Sequence, residues 1–339
     1  MSKITNLQVY APNPKDITSL YRAVGPLSEL RKKYPHLNIT IHEKLEWHQL
    51  KMSDIVFLQR PWLDTHLQIA EIAKDIGSAL WVDWDDDLTS IPKSNVHKVH
   101  YNSPKLPENI KQIAALADII SVTTTSLKNN VLKDFESKVR IIPNALEDKY
   151  YIGLDAIDYN ERKAIVAWRG GQSHNIDLMD VRDQLIALSK AHTAWSFAFL
   201  GYEPTMQMHG MREGSWGSIP NQDFGAYMQS LKTMSPPIMM VPLANDIFNQ
   251  SKSMIAWLEA SVAGSLVVAP EYVPDFVRPG VLTYKNNKEF GDIMHTIMKN
   301  PSVVESANKQ ALQYIGDVLL LSKVNEQRKQ LITDLQELL

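Results

Sequence analysis

The sequence predicts an α/β protein made of two Rossmann-like, doubly wound domains facing a cleft. Two observations carry this. Short apolar runs alternate with longer amphipathic ones through both halves of the chain. That alternation of strand-like and helix-like segments is what a mostly parallel sheet covered on both faces requires. At 339 residues the chain is also longer than one typical core supports.

The first half opens on a strand in LQVYAP, from Leu7 to Pro12. Asp16 is placed to cap a helix running through Leu20, Val24, Leu27 and Leu30, with Pro35 beyond its end. LNITIH, DIVFLQ and ALWVDWD read as further strands, and the helix between the last two is closed by Gly77. DIISVT and VRIIPN flank a helix capped near Thr125. The second half repeats the pattern. KAIVAWRGG runs into a glycine turn, a helix follows from Asp177 to Ala191, and WSFAFLG is the next strand. A polar loop containing Met and Gly leads to the helix DFGAYMQSLKTM. Then PIMMVPL, the helix FNQSKSMIAWLEASVAG and SLVVAP form a βαβ unit, followed by the short run GVLTY.

This pattern divides the chain at residues 1–145, a linker over 146–162, a second domain over 163–302, and helices over 303–339 that return across the boundary. Doubly wound domains place ligands beyond the carboxyl ends of their strands, so function is expected in the loops that follow strands.

Composition narrows the classes. A net charge of −3 argues against a protein that coats a polyanion, while leaving room for a local basic groove. The absence of cysteine excludes disulfides, thiol catalysis and thiolate metal sites. No apolar run approaches a membrane span and MSKITNLQVY lacks a signal-peptide core, so the expected location is the cytoplasm, that of the host if a phage encodes the chain. A serine-hydrolase elbow, a P-loop lysine, zinc-ligand spacing and GxGxxG are all missing.

Three post-strand segments could carry chemistry. In WRGGQSHNIDL, Gly170 and Gly171 would let backbone approach a ligand and Arg169 offers a planar fork to phosphate oxygens. His174 stands just before the following helix and could bond a phosphate or a sugar. A tight turn with a surface arginine would look the same. In FNQSKSMIAWLEASVAG, Lys252 and Glu259 lie about two turns apart, on one face of a helix. Glu259 falls within an apolar pattern, where a carboxylate needs partners, and ribose hydroxyls would serve. Asn249, Ser251 and Ser253 stand at the helix start, suited to capping, to phosphate, or to both. In WVDWDDDL, the cluster Asp83, Asp85, Asp86 and Asp87 fits a divalent metal site, a base or hydroxyl-binding site for an acceptor, or a helix cap in a charged turn. Arg22 and Arg60 follow strands at predicted cleft edges, as anion ligands or as ordinary surface arginines.

These motifs resemble those of GT-B glycosyltransferases of the retaining class, which use nucleotide sugars. The likeness covers most of the chain. VRIIPNAL resembles the family's entry into its linker, and WRGG with SHNIDL resembles the first loop of its C-terminal domain. Glu259, Ala260, Ala263-Gly264 and SLVVAP fit its donor-site signature, although Ser251 stands where that signature has an earlier glutamate. The resemblance implies that the first domain binds the acceptor and the second the donor. Arg169 and Lys252 would hold the pyrophosphate and stabilise the departing diphosphate, Gly170 and Gly171 would let it approach, and Glu259 would bind the ribose. No metal or obligatory cofactor is implied beyond the nucleotide-diphosphate sugar. Asp85 or Asp86 would then contact the acceptor hydroxyl, with Arg22, Arg60 and Asp87 on the acceptor side.

DIVFLQRPW and WVDWDDDL also resemble segments of large-bacteriophage proteins, among which some glycosyltransferases modify hydroxymethylated pyrimidines in double-stranded DNA. A glycan or small-molecule acceptor, or a non-catalytic nucleotide-sugar-binding protein of the same shape, are the competing expectations. An epimerase or a phosphorylase would need further groups that the sequence does not display.

Overall fold

A computed structural model describes residues 4–152, 157–159 and 162–339. Residues 153–156 and 160–161 of the expected linker lie outside the described residues. The chain forms two compact units. One comprises Met1–Ser90, His100–Asp148 and Leu319–Leu339, and the other Ile91–Val99 and Lys149–Val318.

The first unit holds a six-stranded sheet of β1 (Thr5–Tyr10), β2 (Leu37–His42), β3 (Ile55–Gln59), β4 (Ala79–Trp84), β5 (Ile119–Val122) and β6 (Val139–Ile141). Their order is β2-β1-β3-β4-β5-β6 and every pairing is parallel. β3 and β4 are buried along their whole length, which explains the apolar runs Ile55–Leu58 and Ala79–Val82. Asp16 caps the first helical turn, its Oδ1 accepting the Ser19 N–H at 2.6 Å. The helix continues to Lys33 through a π-turn at Leu20–Val24. The helix Asp64–Asp75 is followed by Gly77 in the left-handed region, φ +82°, as the sequence predicts.

The second unit holds β7 (Ile165–Gly170), β8 (Ser196–Gly201), β9 (Trp216–Pro220), β10 (Ile238–Met240), β11 (Leu266–Pro270) and β12 (Val281–Tyr284). Their order is β12-β11-β10-β7-β8-β9, again wholly parallel, the winding of a dinucleotide-binding fold with its switch point between β7 and β10. β9 lies in the stretch read from sequence as loop. Its WGSIP is half exposed and carries little apolar signal because it is an edge strand, paired only with β8.

Two helices also depart from expectation. The one expected from Asp177 to Ala191 breaks at Val181 into Asn175–Asp180 and Arg182–Ala191. The one expected across 248–262 is two helices, Ile247–Gln250 and Ile255–Val262. Each has its own start. Asp246 caps the first through the Asn249 N–H at 2.7 Å, and Asp275 takes the Met254 N–H of the second at 2.8 Å. Lys252 and Ser253 therefore sit in the connection, and Lys252 does not share a helix face with Glu259.

The block over 303–339 divides. Helix Val303–Tyr314 packs on the second unit, where Asn308 Nδ2 bonds Ser261 O at 2.9 Å and Ser265 O at 3.0 Å. Helix Leu321–Gln336 packs on the first, with Asn325 Nδ2 donating to Pro26 O at 2.9 Å. Arg162, the last residue of the expected linker, donates to Ser235 O and Gly264 O, at 2.8 and 2.7 Å, satisfying carbonyls beyond the ends of helices Phe224–Met234 and Ile255–Val262. Among the described residues no helix is long and apolar enough to cross a membrane.

Candidate functional site

In the second unit the candidate site gathers at the carboxyl ends of β7 and β10, on either side of the switch point. β7 ends in Trp168-Arg169-Gly170 and the chain turns through Gln172–His174 into helix Asn175–Asp180. Gly170 is fixed by packing. A Cβ there would lie 2.5 Å from Trp168 Cζ2 and 3.3 Å from His174 Cδ2, so no other residue fits without moving the indole. Gly171 is open, a Cβ there meeting nothing closer than Ser173 Oγ at 3.9 Å. The backbone that can receive a ligand closely is therefore that of Gly171.

Arg169 and Glu259 meet. Arg169 Nε lies 2.9 Å from Glu259 Oε2, and the glutamate is 1% exposed. Tyr227, on helix Phe224–Met234, donates its hydroxyl to the same oxygen at 2.9 Å. Burial, then the Glu259 carboxylate, raises the Tyr227 pKa well above its ordinary value, so the phenol stays a donor. The buried carboxylate expected to seek ribose hydroxyls thus has partners within the protein. Lys252 lies on the segment between the two short helices. Its ammonium sits 4.0 Å from the centroid of the Phe248 ring.

A second network orders the loop. Asp177 Oδ2 bonds His174 Nδ1 at 2.7 Å, while its Oδ1 accepts the Ala244 N–H at 2.7 Å and Asn249 Nδ2 at 3.0 Å. With Nδ1 held by a carboxylate, the His174 ring is oriented and Nε2 is its second functional nitrogen. Asn249 is 4% exposed and also donates to Ala244 O at 3.1 Å. Its side chain ties the segment after β10 to the loop after β7. Ser251, equally expected near phosphate, is fully buried and bonds Ile247 O at 3.3 Å. Asp180 and Asp246 lie close by. Burial first, then neighbouring carboxylates including Asp177, raises both pKa values.

In the first unit the aspartates of WVDWDDDL diverge. Asp83 points into the core and forms a two-pronged pair with Arg22, Nε–Oδ1 3.0 Å and Nη2–Oδ2 2.6 Å. Arg22 also donates to Ile142 O at 2.6 Å. Expected at a cleft edge, Arg22 is instead 2% exposed and ties β4 to the segment after β6 from within. Asp87 is buried too, and its Oδ1 accepts the N–H groups of Thr89 and Ser90 at 3.0 and 3.2 Å, which is the turn-capping role. Asp85 pairs with Arg60, Nε–Oδ1 2.8 Å and Nη2–Oδ2 2.5 Å. Burial opposes the charge on Arg60, but the Asp85 carboxylate and then other anions, Asp86 among them, raise its pKa well above the usual value. Arg60 has φ +50°, a conformation costly for a residue with a Cβ, held by its N–H on Asp83 O at 2.7 Å. Asp86 is half-buried beside this pair. Among the described residues no three His, Asp or Glu side chains gather as metal ligands would.

Sequence reasoning missed Tyr227 and Asp177. For Asp177 a signal existed, the His174–Asp177 spacing of three that puts both on one helical turn. For Tyr227 there was none, because its partner is thirty-two positions away.

No protein-family model matches the chain, and no curated protein matches it in sequence. Solved structures do match. Anabaena HepE in complex with UDP and glucose superposes with a TM-score of 0.64 at 13% identity, over 97% of this chain and 99% of that one. A glycosyltransferase from Rickettsia africae gives 0.68 at 12% identity, over 99% of both chains. An α,α-trehalose-phosphate synthase (UDP-forming) from Burkholderia vietnamiensis gives 0.65 at 10%, again over 99% of both. At such low identity the likeness speaks for the fold alone, the GT-B fold, an α/β chain of two Rossmann-like domains with a six-stranded parallel sheet in each.

Proposed function

We propose that the protein is a glycosyltransferase that takes a sugar from a nucleotide-diphosphate donor and passes it to an acceptor hydroxyl. The observation that carries this is the meeting of Arg169, Glu259 and Tyr227 beside the His174–Asp177 pair, at the carboxyl end of β7 where the sheet's winding reverses. Anabaena HepE, which shares the fold, has been crystallised with UDP-glucose, and a UDP-sugar is the first donor to test.

In this reading the diphosphate lies over Gly171, whose lack of a side chain permits close approach. Arg169 meets phosphate oxygens while Glu259 and Tyr227 hold its guanidinium in place, and the Glu259 carboxylate faces the ribose. Lys252 adds charge from the connection between the two short helices. The acceptor oxygen bonds to the anomeric carbon, the carbon–oxygen bond to phosphate breaks, and the diphosphate leaves with the electron pair and takes up the proton that the acceptor hydroxyl loses. Stabilising that charge with preorganised cations is the main catalytic task. In the first unit, Asp85 is held by Arg60 and positions the half-buried Asp86 as the carboxylate for the acceptor hydroxyl. Arg22 and Asp87 have structural duties and no part in the chemistry. Retention at the anomeric centre and a hydroxymethylated pyrimidine in double-stranded DNA as acceptor complete the proposal. Both rest on resemblance in the sequence.

The test is a panel of nucleoside diphosphates and their sugars, read by thermal shift and by release of nucleoside diphosphate, with hydroxymethylated and unmodified DNA as acceptors. Stabilisation by a nucleoside diphosphate, and release that rises only with the hydroxymethylated DNA, are expected. Stabilisation by none overturns the donor assignment. Donor hydrolysis that neither DNA accelerates overturns the acceptor assignment alone.

A further inference from the structure

The second unit includes a short segment that is distant from it in sequence. Ile91–Val99 follows the WVDWDDDL run and clusters with residues 149–318. Its turn Val96–Val99 lies against the turn Gln172–His174, with Cα–Cα separations within 8 Å. The segment is locally built. Asn95 N–H donates to Pro92 O at 3.0 Å, while Asn95 accepts the N–H groups of His97 on its side chain and Lys98 on its carbonyl, both at 2.9 Å. Ile91 is buried and anchors its start. Within the turn, Val96, His97 and Val99 are exposed and Lys98 is half-buried, so Lys98 occupies the face turned toward the protein.

Charge suggests what this contact is for. From Leu88 to Pro107 the chain carries Lys93, His97, Lys98, His100 and Lys105 and no Asp or Glu. The end of β7 is the opposite. There the carboxylates Asp177, Asp180, Asp246 and Glu259 outnumber the cations Arg169 and Lys252, and Arg169 is already engaged by Glu259. A diphosphate carries at least two further negative charges, and a site with an excess of carboxylate would repel it. A cationic segment seated on the same turn corrects the sign of the local field.

We infer that Ile91–Val99 is a cationic strap of the donor site, and that Lys98 contacts the pyrophosphate of the nucleotide beside the Gly171–His174 turn. This rests on the donor reading given above and adds a residue that the donor-binding loops themselves do not contain. Lys98 acts as a binding cation that is pulled tighter as charge develops on the leaving diphosphate. Lys93, exposed on the same segment, steers the anion from further away.

The experiment compares wild type with Lys98→Met, Lys98→Arg and the double variant Lys93→Met/Lys98→Met. Affinities for UDP, GDP, ADP and dTDP, and for the nucleoside of whichever binds, are measured by calorimetry at two salt concentrations. Lys98→Met is expected to weaken the diphosphate about tenfold or more, leave the nucleoside unchanged and flatten the salt dependence, with Lys98→Arg close to wild type. Equal loss for diphosphate and nucleoside, or no loss in the double variant, overturns the strap. Unchanged diphosphate binding with weakened retention of duplex DNA also overturns it, by assigning the cations to acceptor phosphates. A wild-type protein that binds no nucleoside diphosphate overturns the donor reading and the strap together, whereas wild-type binding with unaffected variants overturns the strap alone.

Discussion

Arg169 Nε and Glu259 Oε2 stand 2.9 Å apart, the arginine at the end of β7 and the glutamate ninety residues later in the chain, on helix Ile255–Val262. The glutamate is buried and the arginine about a quarter exposed, so the pair presents a guanidinium to solvent on a carboxylate base. The arrangement resembles a ligating side chain braced by a partner behind it. Removing the brace is then a different experiment from removing the ligand.

Tyr227→Phe deletes one hydroxyl that donates to Glu259 and changes little else. A hydrogen bond to a buried carboxylate is worth about 1.5–3 kcal/mol, so the urea midpoint should fall by a corresponding amount with the fold retained. If Glu259 positions Arg169, turnover should fall more than nucleotide affinity. A loss of stability with kinetics unchanged would make Tyr227 purely structural.

Gly170→Ala and Gly171→Ala separate packing from ligand approach. The first places a methyl 2.5 Å from the Trp168 ring and should cost about 1–3 kcal/mol of stability. The second meets nothing closer than 3.9 Å, so its stability should stay near that of wild type. Its nucleoside diphosphate affinity should nonetheless drop. Thermal melts with and without UDP read both effects, and an unimpaired Gly171→Ala would move the diphosphate away from this turn.

His66 makes the first unit sensitive to acid. Its Nδ1 accepts the N–H groups of Trp62 and Leu63 at 3.0 and 3.2 Å, at the start of helix Asp64–Asp75, and its Nε2 lies 2.9 Å from the Tyr10 hydroxyl. Burial lowers its pKa from 6.5 to about 4. The folded state therefore binds fewer protons than the unfolded chain between those values, and stability is lost as pH falls through that window. The full loss is about 3 kcal/mol. Urea melts of wild type and His66→Gln from pH 7 to pH 4 should converge as the wild type loses this contribution, and parallel curves would remove His66 as the cause.

The pair Arg22–Asp83 predicts a different response. Asp83→Asn leaves Arg22 and the neighbouring buried Arg328 without their carboxylate, and breaking such a pair costs about 3–5 kcal/mol. Arg328 already has its pKa lowered to about 9, by burial and then by Arg22, so it has little tolerance for a further loss of negative charge. The double change Arg22→Met/Asp83→Leu should cost less than Asp83→Asn alone. Equal costs in urea denaturation would mean that the pair contributes through packing rather than charge.

Much of this was legible from residues alone. Apolar runs marked eleven of the strands, the central ones most plainly, because a strand covered on both faces cannot hide its pattern. β9 escaped because WGSIP holds too few apolar residues to stand out. Arg169, Gly171, His174 and Glu259 were singled out from their place after strands and from one carboxylate in an apolar helix, and the structure gathers Arg169 with Glu259 and His174 with Asp177. The helix break at Ser251–Met254 was not legible, since the side chain that starts the second helix, Asp275, lies twenty-one positions onward. Nor was the fate of each aspartate in WVDWDDDL.

The sequence by itself determined the class of fold, the repeat of two sheets and the places where loops follow strands, because these follow from local periodicity and from the few residues that can end a strand or open a helix. Only the tertiary structure decided which charges are spent inside the protein. It paired Arg22 with Asp83 and Arg60 with Asp85, turned Asn249 inward, braced Arg169 with Glu259 and Tyr227, and laid Val96–Val99 against Gln172–His174. A charge's partner is set by burial and distance in three dimensions, and residues far apart in the chain carry no local mark of the company they will keep.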